Sequence, residues 1–398
     1  MRNREYGNLA AAAAAAPAAS IPQPRSLELP AEADVLPGPG AKRKRPRVEA
    51  IDFVRGLAVS LMILSHGVKG LLRFDQFPVW GLVPIHLITK FSSSLFFLVF
   101  GVALAVVHLP HVGTAKWPEK RMRLLVRGVR IFFWYKVLTI VEMFALYKPA
   151  EIIDTLLYRA FPVYVEILGY YAIALLWMPF ALPAWKKAHL SLKLAAPFVV
   201  GVGAYVLAHR FGFFGSESLQ AILVEHEKHY TWGQLTRLPL VMVGLLLGEF
   251  YLWNREKGRP VLVPVMVSAG VACALFAAFF VVKKAGIGEE LMNIALNEGK
   301  HPPELDFSLF SVGGAFLLMA GALLGGNFLA RALKPITIIG QDALQAFVFH
   351  IFVIFVFYRY LFGYWHQISY AHALALTGLL IGMTALWIKT VSWVKAGS

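Results

Sequence analysis

The sequence predicts an all-α, polytopic membrane protein of about ten transmembrane helices with both termini in the cytoplasm. Three observations carry that reading. The 398 residues are 58% hydrophobic and 15% charged, against roughly 45–50% apolar in soluble domains. Apolar stretches near the ~20 residues of a spanning helix recur over 50–70, 82–108, 123–147, 161–183, 190–210, 236–253, 260–283, 307–330, 336–362 and 370–394. The connecting loops alternate between short basic ones and acidic ones. The basic set comprises the N-terminal tail, 116–123, 185–189, 254–259, 331–334 and the C-terminus. The other set holds Glu217, Glu225, Glu227, Glu289, Glu290, Glu298 and Asp306. The positive-inside rule places the basic set in the cytoplasm.

Residues 1–47 read as a disordered basic tail and 48–398 as one transmembrane domain. The tail holds the alanine run Ala10 to Ala16 and the string "KRKRPR" from Lys42. Standing just before an apolar segment, that string reads as a cytoplasmic anchor. The net charge is +15, yet the chain lacks the interleaved stacking aromatics of single-strand binders, so nucleic acid is not an expected partner. Cys273 is the only cysteine, which excludes an intrachain disulfide and a thiolate metal cluster.

The first segment, "IDFVRGLAVSLMILSH" (Ile51 to His66), keeps three ionisable groups in an apolar run. Such groups are costly in hydrocarbon and mark function. Arg55 and His66 are eleven residues apart, close to three helical turns, so they share a face roughly 16 Å apart along the axis. Asp52 lies on the same stripe, where it can pair with Arg55 at i,i+3. The rise is comparable to an extended pantetheine arm. An acyl-CoA with its phosphates near Arg55 would therefore set its thioester near His66.

In the second segment His86, Lys90, Ser94, Phe97 and Gly101 share a face. His86 and Ser94 are candidate acceptor contacts. The third opens "RMRLLVRGVRIFFWYK", where Arg123, Arg127, Arg130 and Trp134 fall on one stripe. Arginine forks suit phosphate oxygens, so this stripe is the candidate CoA-binding surface. Glu142 in the third segment and Glu166 in the fourth are intramembrane carboxylates, and either is placed to orient His66 as in a catalytic triad. Asp342 reads as an N-cap and His350 as a mid-span, hydrogen-bonded packing residue, the alternative being that it faces the channel. In "EHEKHY" (Glu225 to Tyr230), His226 and His229 lack a third evident ligand, so no metal site is expected. Gly244 and Gly248 read as a close helix-packing pair.

These stretches resemble a known family. "RGLAVSLMILSH" sets an arginine and a histidine ten residues apart, and "RGVR" is an Arg-x-x-Arg. "SSLFFLVFG" (Ser93 to Gly101) is similar to a Phe-Phe-x-x-Ser-Gly segment. "IGQDALQAFVFH" (Ile339 to His350) is similar to a Gly-x-x-Ser-x-x-x-Tyr-x-x-His segment. Together they resemble the acyltransferase-3 integral membrane proteins of the transmembrane acyltransferase superfamily. "KHPPELDFSLF" (Lys300 to Phe310) resembles a Pro-Pro motif of the heparan-α-glucosaminide N-acetyltransferase branch. The chain departs from the pattern at Phe100, where serine is usual, and at Ala343 and Phe347, where serine and tyrosine are usual.

The resemblance implies transfer of an acyl group, acetyl being favoured, from cytoplasmic acyl-CoA to a hydroxyl or amine of an extracytoplasmic glycan, with oxygen favoured over nitrogen. It implies that His66 is catalytic, that Arg55 supports it or the donor, and that Arg127 and Arg130 bind the CoA phosphates. Acyl-CoA is then a co-substrate rather than a resident cofactor. The expected setting is the plasma membrane, compatible with a homodimer. The competing reading is a secondary transporter using the intramembrane His, Glu and Arg residues as a relay. It would require broken helices and related halves, and the sequence shows no internal repeat.

Overall fold

The computed structural model describes residues 49–76 and 82–397; the expected disordered tail, 1–47, lies outside them. Fourteen α-helices follow in order: α1 (Glu49–Leu71), α2 (Val83–Ala103), α3 (Trp117–Met143), α4 (Pro149–Leu156), α5 (Glu166–Lys187), α6 (Leu190–Arg210) and α7 (Glu217–Val224), then α8 (Gln234–Glu256), α9 (Leu262–Val282), α10 (Ile287–Leu296), α11 (Leu305–Ala332), α12 (Lys334–Gln341), α13 (Ala343–Phe352) and α14 (Tyr370–Gly397). No β-strand occurs among the described residues. Wider π-helical turns extend α2 through Leu104–His108 and α13 through Val353–Leu361.

Nine helices among the described residues are long and apolar enough to cross a membrane. The chain is therefore a multi-pass membrane protein. The third expected segment is α3, whose 27 residues also suffice in length but whose arginines and lysines keep it outside the nine. Local signals set the boundaries. Proline opens α2, α3, α4 and α12, at the position where its missing N–H costs nothing. Ser216 caps α7 through Leu219 N at 3.2 Å, and Asp342 caps α13 through Gln345 N at 3.2 Å, as serine and aspartate do at helix starts.

The ninth expected segment, 336–362, is not one helix. It breaks at Asp342, which adopts φ −137°, ψ 75°. The cause lies in α1. A Cβ added at Gly340 would sit 1.7 Å from the Asp52 carbonyl oxygen, and one at Gly56 would sit 1.8 Å from the Ile336 carbonyl oxygen. α12 thus docks backbone to backbone on α1, and the chain must turn before α13 can start. The expected small-residue contact on α8 is present: a Cβ at Gly244 would lie 2.2 Å from the Leu98 carbonyl oxygen on α2.

α1 is the most enclosed span, with 67% of its apolar window buried, whereas α6 and α9 bury only 17% and 22%. The first helix therefore runs through the protein interior against α2, α11, α12 and α14, and α6 and α9 stand at the margin. His66 sits near the end of α1, where it meets the 144–165 and 225–233 loops and the segment after α10.

Candidate active site

His66 opens onto a polar chamber whose lining includes Ser65, Ser93, Tyr164, Tyr230, Trp232 and Lys300. Its Nδ1 lies 3.2 Å from His350 Nε2, and His350 Nδ1 lies 2.9 Å from the Ala346 carbonyl oxygen. These contacts assign the protons. A carbonyl only accepts, so His350 Nδ1 carries hydrogen. With both rings neutral, His350 Nε2 is then a lone pair and receives the Nδ1–H of His66. The remaining nitrogen of His66, Nε2, is left as the basic atom. The second ring thus selects the tautomer of the first.

His350 is fully buried and stacks on His66 with centroids 5.5 Å apart. The Tyr164 ring meets His66 edge-on at 5.2 Å. Phe347 closes the back of the pair, with centroids 6.4 Å from His66 and 4.9 Å from His350.

Neither intramembrane carboxylate provides a hydrogen bond to His66. Glu142 accepts from the backbone N–H of Val163 at 2.7 Å and of Tyr164 at 3.1 Å. It pins the loop that carries Tyr164, and so acts on the chamber at one remove. Glu166 accepts from the Tyr135 hydroxyl at 2.6 Å, tying α5 to α3. The expected orienting partner of His66 is a carboxylate, Glu142 or Glu166; the residue found in that place is His350, which ends the Gly340–His350 segment of the resemblance.

Arg55 donates to Asp52 Oδ1 at 3.3 Å and to the Gly340 carbonyl oxygen at 3.0 Å. It spans the glycine contact between α1 and α12, and it does not line the chamber. Its charge and that of Arg127 both reach Tyr171 electrostatically. Phe97 and Phe100 pack on that ring, with centroids at 6.2 and 4.7 Å. Arg127 and Arg130 are exposed and Trp134 is half-buried. Arg123 is exposed and pairs with Glu119 on its own helix.

On α2, His86 is buried beside the charges of Lys90 and Lys69. Ser94 bonds to the Ser311 hydroxyl at 2.7 Å and so serves the α2–α11 contact, while its neighbour Ser93 lines the chamber. The face read from helical spacing is therefore split between a helix contact and the cavity.

The loop side carries an ionic cluster. Glu225, fully buried, receives Arg237 Nε at 2.7 Å and Nη2 at 3.2 Å, and His301 Nδ1 at 3.1 Å. Burial would raise its carboxyl, but Arg237 and His301 outweigh that and hold it below the usual range. Burial pushes the His301 ring down to about 4 despite Glu225, so the ring is neutral near pH 7. Lys300 Nζ reaches the Tyr230 hydroxyl at 2.5 Å. Burial, reinforced by Arg237, lowers its ammonium to about 7. Glu217, His226 and His229 also converge, with ligand atoms within 4.8 Å of one another. Spacing alone did not reveal Glu217 as the third member, and Lys228 already occupies one of its oxygens at 2.6 Å.

A half-buried imidazole with an assigned basic nitrogen, set in a polar chamber inside a helical membrane domain, suits proton transfer to or from a bound hydroxyl or amine. The family model described as "Acyltransferase domain" matches residues 48–390. The chain belongs to the acyltransferase-3 family. No curated protein matches it. In this acyltransferase the positions that depart from the family pattern have definite surroundings. Phe347 backs the histidine pair, and Phe100 packs on the Tyr171 ring.

Proposed function

We propose that this acyltransferase moves an acyl group, acetyl favoured, from cytoplasmic acyl-CoA to a hydroxyl of an extracytoplasmic glycan at the plasma membrane. The His66–His350–Ala346 chain of hydrogen bonds is the observation that supports this reading. Nε2 of His66 takes the proton of the acceptor hydroxyl as its oxygen attacks the thioester carbonyl carbon. The oxygen–carbon bond forms, the carbon–sulfur bond breaks, and the thiolate leaves with the proton that Nε2 received. The products are an ester and free CoA, and His66 returns to its starting tautomer. His350 is a positioning residue: it holds Nδ1–H and keeps Nε2 basic.

The donor lies with its phosphates toward Arg127 and Arg130 and with Arg123 and Trp134 farther along the same stripe. Arg55 braces α12 against α1 at the donor end. Purified protein given acetyl-CoA and a hydroxyl acceptor should release free CoA and form an ester. His66→Ala should lower that rate by about 10²–10⁴-fold without loss of folded protein. Wild-type turnover in that variant would remove His66 from the reaction.

A further inference from the structure

Three lysines stand near His66, one of them on the chamber itself, and the acyl-transfer scheme uses none of them. Lys69 stands one turn beyond His66 on α1. Lys90 on α2 is 3% exposed and donates to Asn297 Oδ1 at 2.5 Å. Lys300 lines the chamber itself. Lys300 acts electrostatically on Lys69, Lys90 and His66, and Lys69 acts on Lys90 and His66. Lys90 and Lys300 have neutral partners, an amide and a phenol, and the side chains of Lys69 and Lys90 also bond to each other. Among the described residues none of the three forms an ion pair. The carboxylate nearest in this network, Glu225, already holds Arg237 and His301, and Arg237 adds a further cation by donating to the Lys300 carbonyl at 2.9 Å.

Ammonium groups converging in a membrane domain without counter-ions are costly, so they stay charged together only when an anion joins them. Hydroxyls and a single oxyanion donor would serve a neutral sugar. Three cations from three separate elements exceed what one tetrahedral intermediate requires. They also oppose the positive charge that His66 acquires when it takes a proton, and an anion among them would cancel that repulsion. The phosphates of CoA cannot be that anion while the thioester is at His66, because the pantetheine arm holds them apart.

We infer that the chamber contains an anion subsite in which Lys69, Lys90 and Lys300 hold a carboxylate or phosphate of the reacting partner next to the bond formed at His66. The inference rests on the acyl-transfer reading and narrows its substrate to an acidic species. Either the acceptor is an acidic or phosphorylated sugar, or the acyl chain is a dicarboxylic one. Both present the same chemistry to the lysines.

Two measurements on the purified full chain in neutral detergent test it. In the first, inorganic phosphate is titrated while tryptophan fluorescence is followed, since Trp232 lines the chamber. The expected result is a saturable change in wild type. Its affinity should weaken about tenfold in Lys90→Met or Lys300→Met, as loss of a charged hydrogen bond implies, and recover in Lys90→Arg. No saturable change, or equal affinity in all variants, overturns the subsite whether or not the protein transfers acyl groups.

In the second, kcat/KM is compared for glucuronate against glucose with acetyl-CoA, and for succinyl-CoA against acetyl-CoA with glucose. One of these ratios should exceed one clearly and fall toward one in the methionine variants. A change in the first pair assigns the anion to the acceptor, and a change in the second assigns it to the acyl chain. Equal loss on charged and neutral substrates would make the lysines oxyanion donors and overturn the proposal. Should the methionine variants fail to fold, phosphate inhibition of the wild type decides: competition with acceptor or donor supports the subsite, and no inhibition overturns it. Absence of any transfer together with tight phosphate binding would refute the acyl-transfer reading and leave the subsite standing.

Discussion

The two ends of α1 handle positive charge in opposite ways. At the Arg55 end the cation is held by the chain itself, through Asp52 and the Gly340 carbonyl, in a contact so close that two glycines are required. At the His66 end Lys90 and Lys300 have neutral partners, Lys69 bonds to Lys90, and Lys300 lines a chamber. A cation closed by its own helix contact stabilises structure. Cations left without carboxylates keep their binding capacity for something that arrives. The contrast teaches that an intramembrane charge is not by itself a site; what its partners leave over decides.

The largest effect should come from filling the tight end. Gly340→Val puts carbon where the Asp52 carbonyl oxygen stands and should abolish recovery of folded protein, read as monodisperse material in size-exclusion chromatography. Overpacking commonly costs ~1–3 kcal/mol and more where backbone must move. Normal yield and melting temperature would mean that α12 can slide on α1, and the comparison would fail there.

At the open end, His350→Ala should leave the protein folded and lower kcat by about 10–100-fold, as loss of an orienting partner does, with KM for acyl-CoA little changed. His350→Gln, whose amide oxygen can accept the His66 Nδ1–H, should recover part of the rate. A KM effect without a kcat effect would make His350 a packing residue after all. Next in size, Arg127→Ala combined with Arg130→Ala should raise KM for acyl-CoA, and acetyl-dephospho-CoA, which lacks one of the phosphates, should be less sensitive to the change. An unchanged KM would place the donor elsewhere.

The smallest effect is a pH dependence. Lys300 loses its proton near pH 7 because burial and Arg237 outweigh the attraction of Glu225. The groups facing it are His66, Lys69, Lys90, Tyr230, Arg237 and Glu225. Below about pH 7 it is charged and holds an anion; above, it is neutral. Phosphate affinity should therefore fall as pH rises through about 7, by a fewfold or more. Lys300→Arg, charged throughout, should flatten that slope.

Much of the architecture was legible in the chain. Segment boundaries fall within a few residues of the observed helices because apolar length, proline at helix starts and an aspartate cap are local properties. The Arg55–His66 stripe and the Asp52–Arg55 pair were legible for the same reason: helical periodicity within one element sets them. Ser94 shows the limit. Its face was read correctly as a face, but α11 covers part of it, and Ser93 takes the position on the chamber.

What the sequence determined by itself is a set of spanning helices and the face on which each charged group stands, since these follow from hydrophobicity and a fixed pitch. What only the tertiary structure decided is which groups meet. His350 reaches His66 across 284 positions, and Lys69, Lys90 and Lys300 come from three elements. The physical reason is that a hydrogen bond or a charge contact depends on distances between helices. Those distances are set by where backbones can approach, as at Gly56 and Gly340, and no spacing within one helix records them.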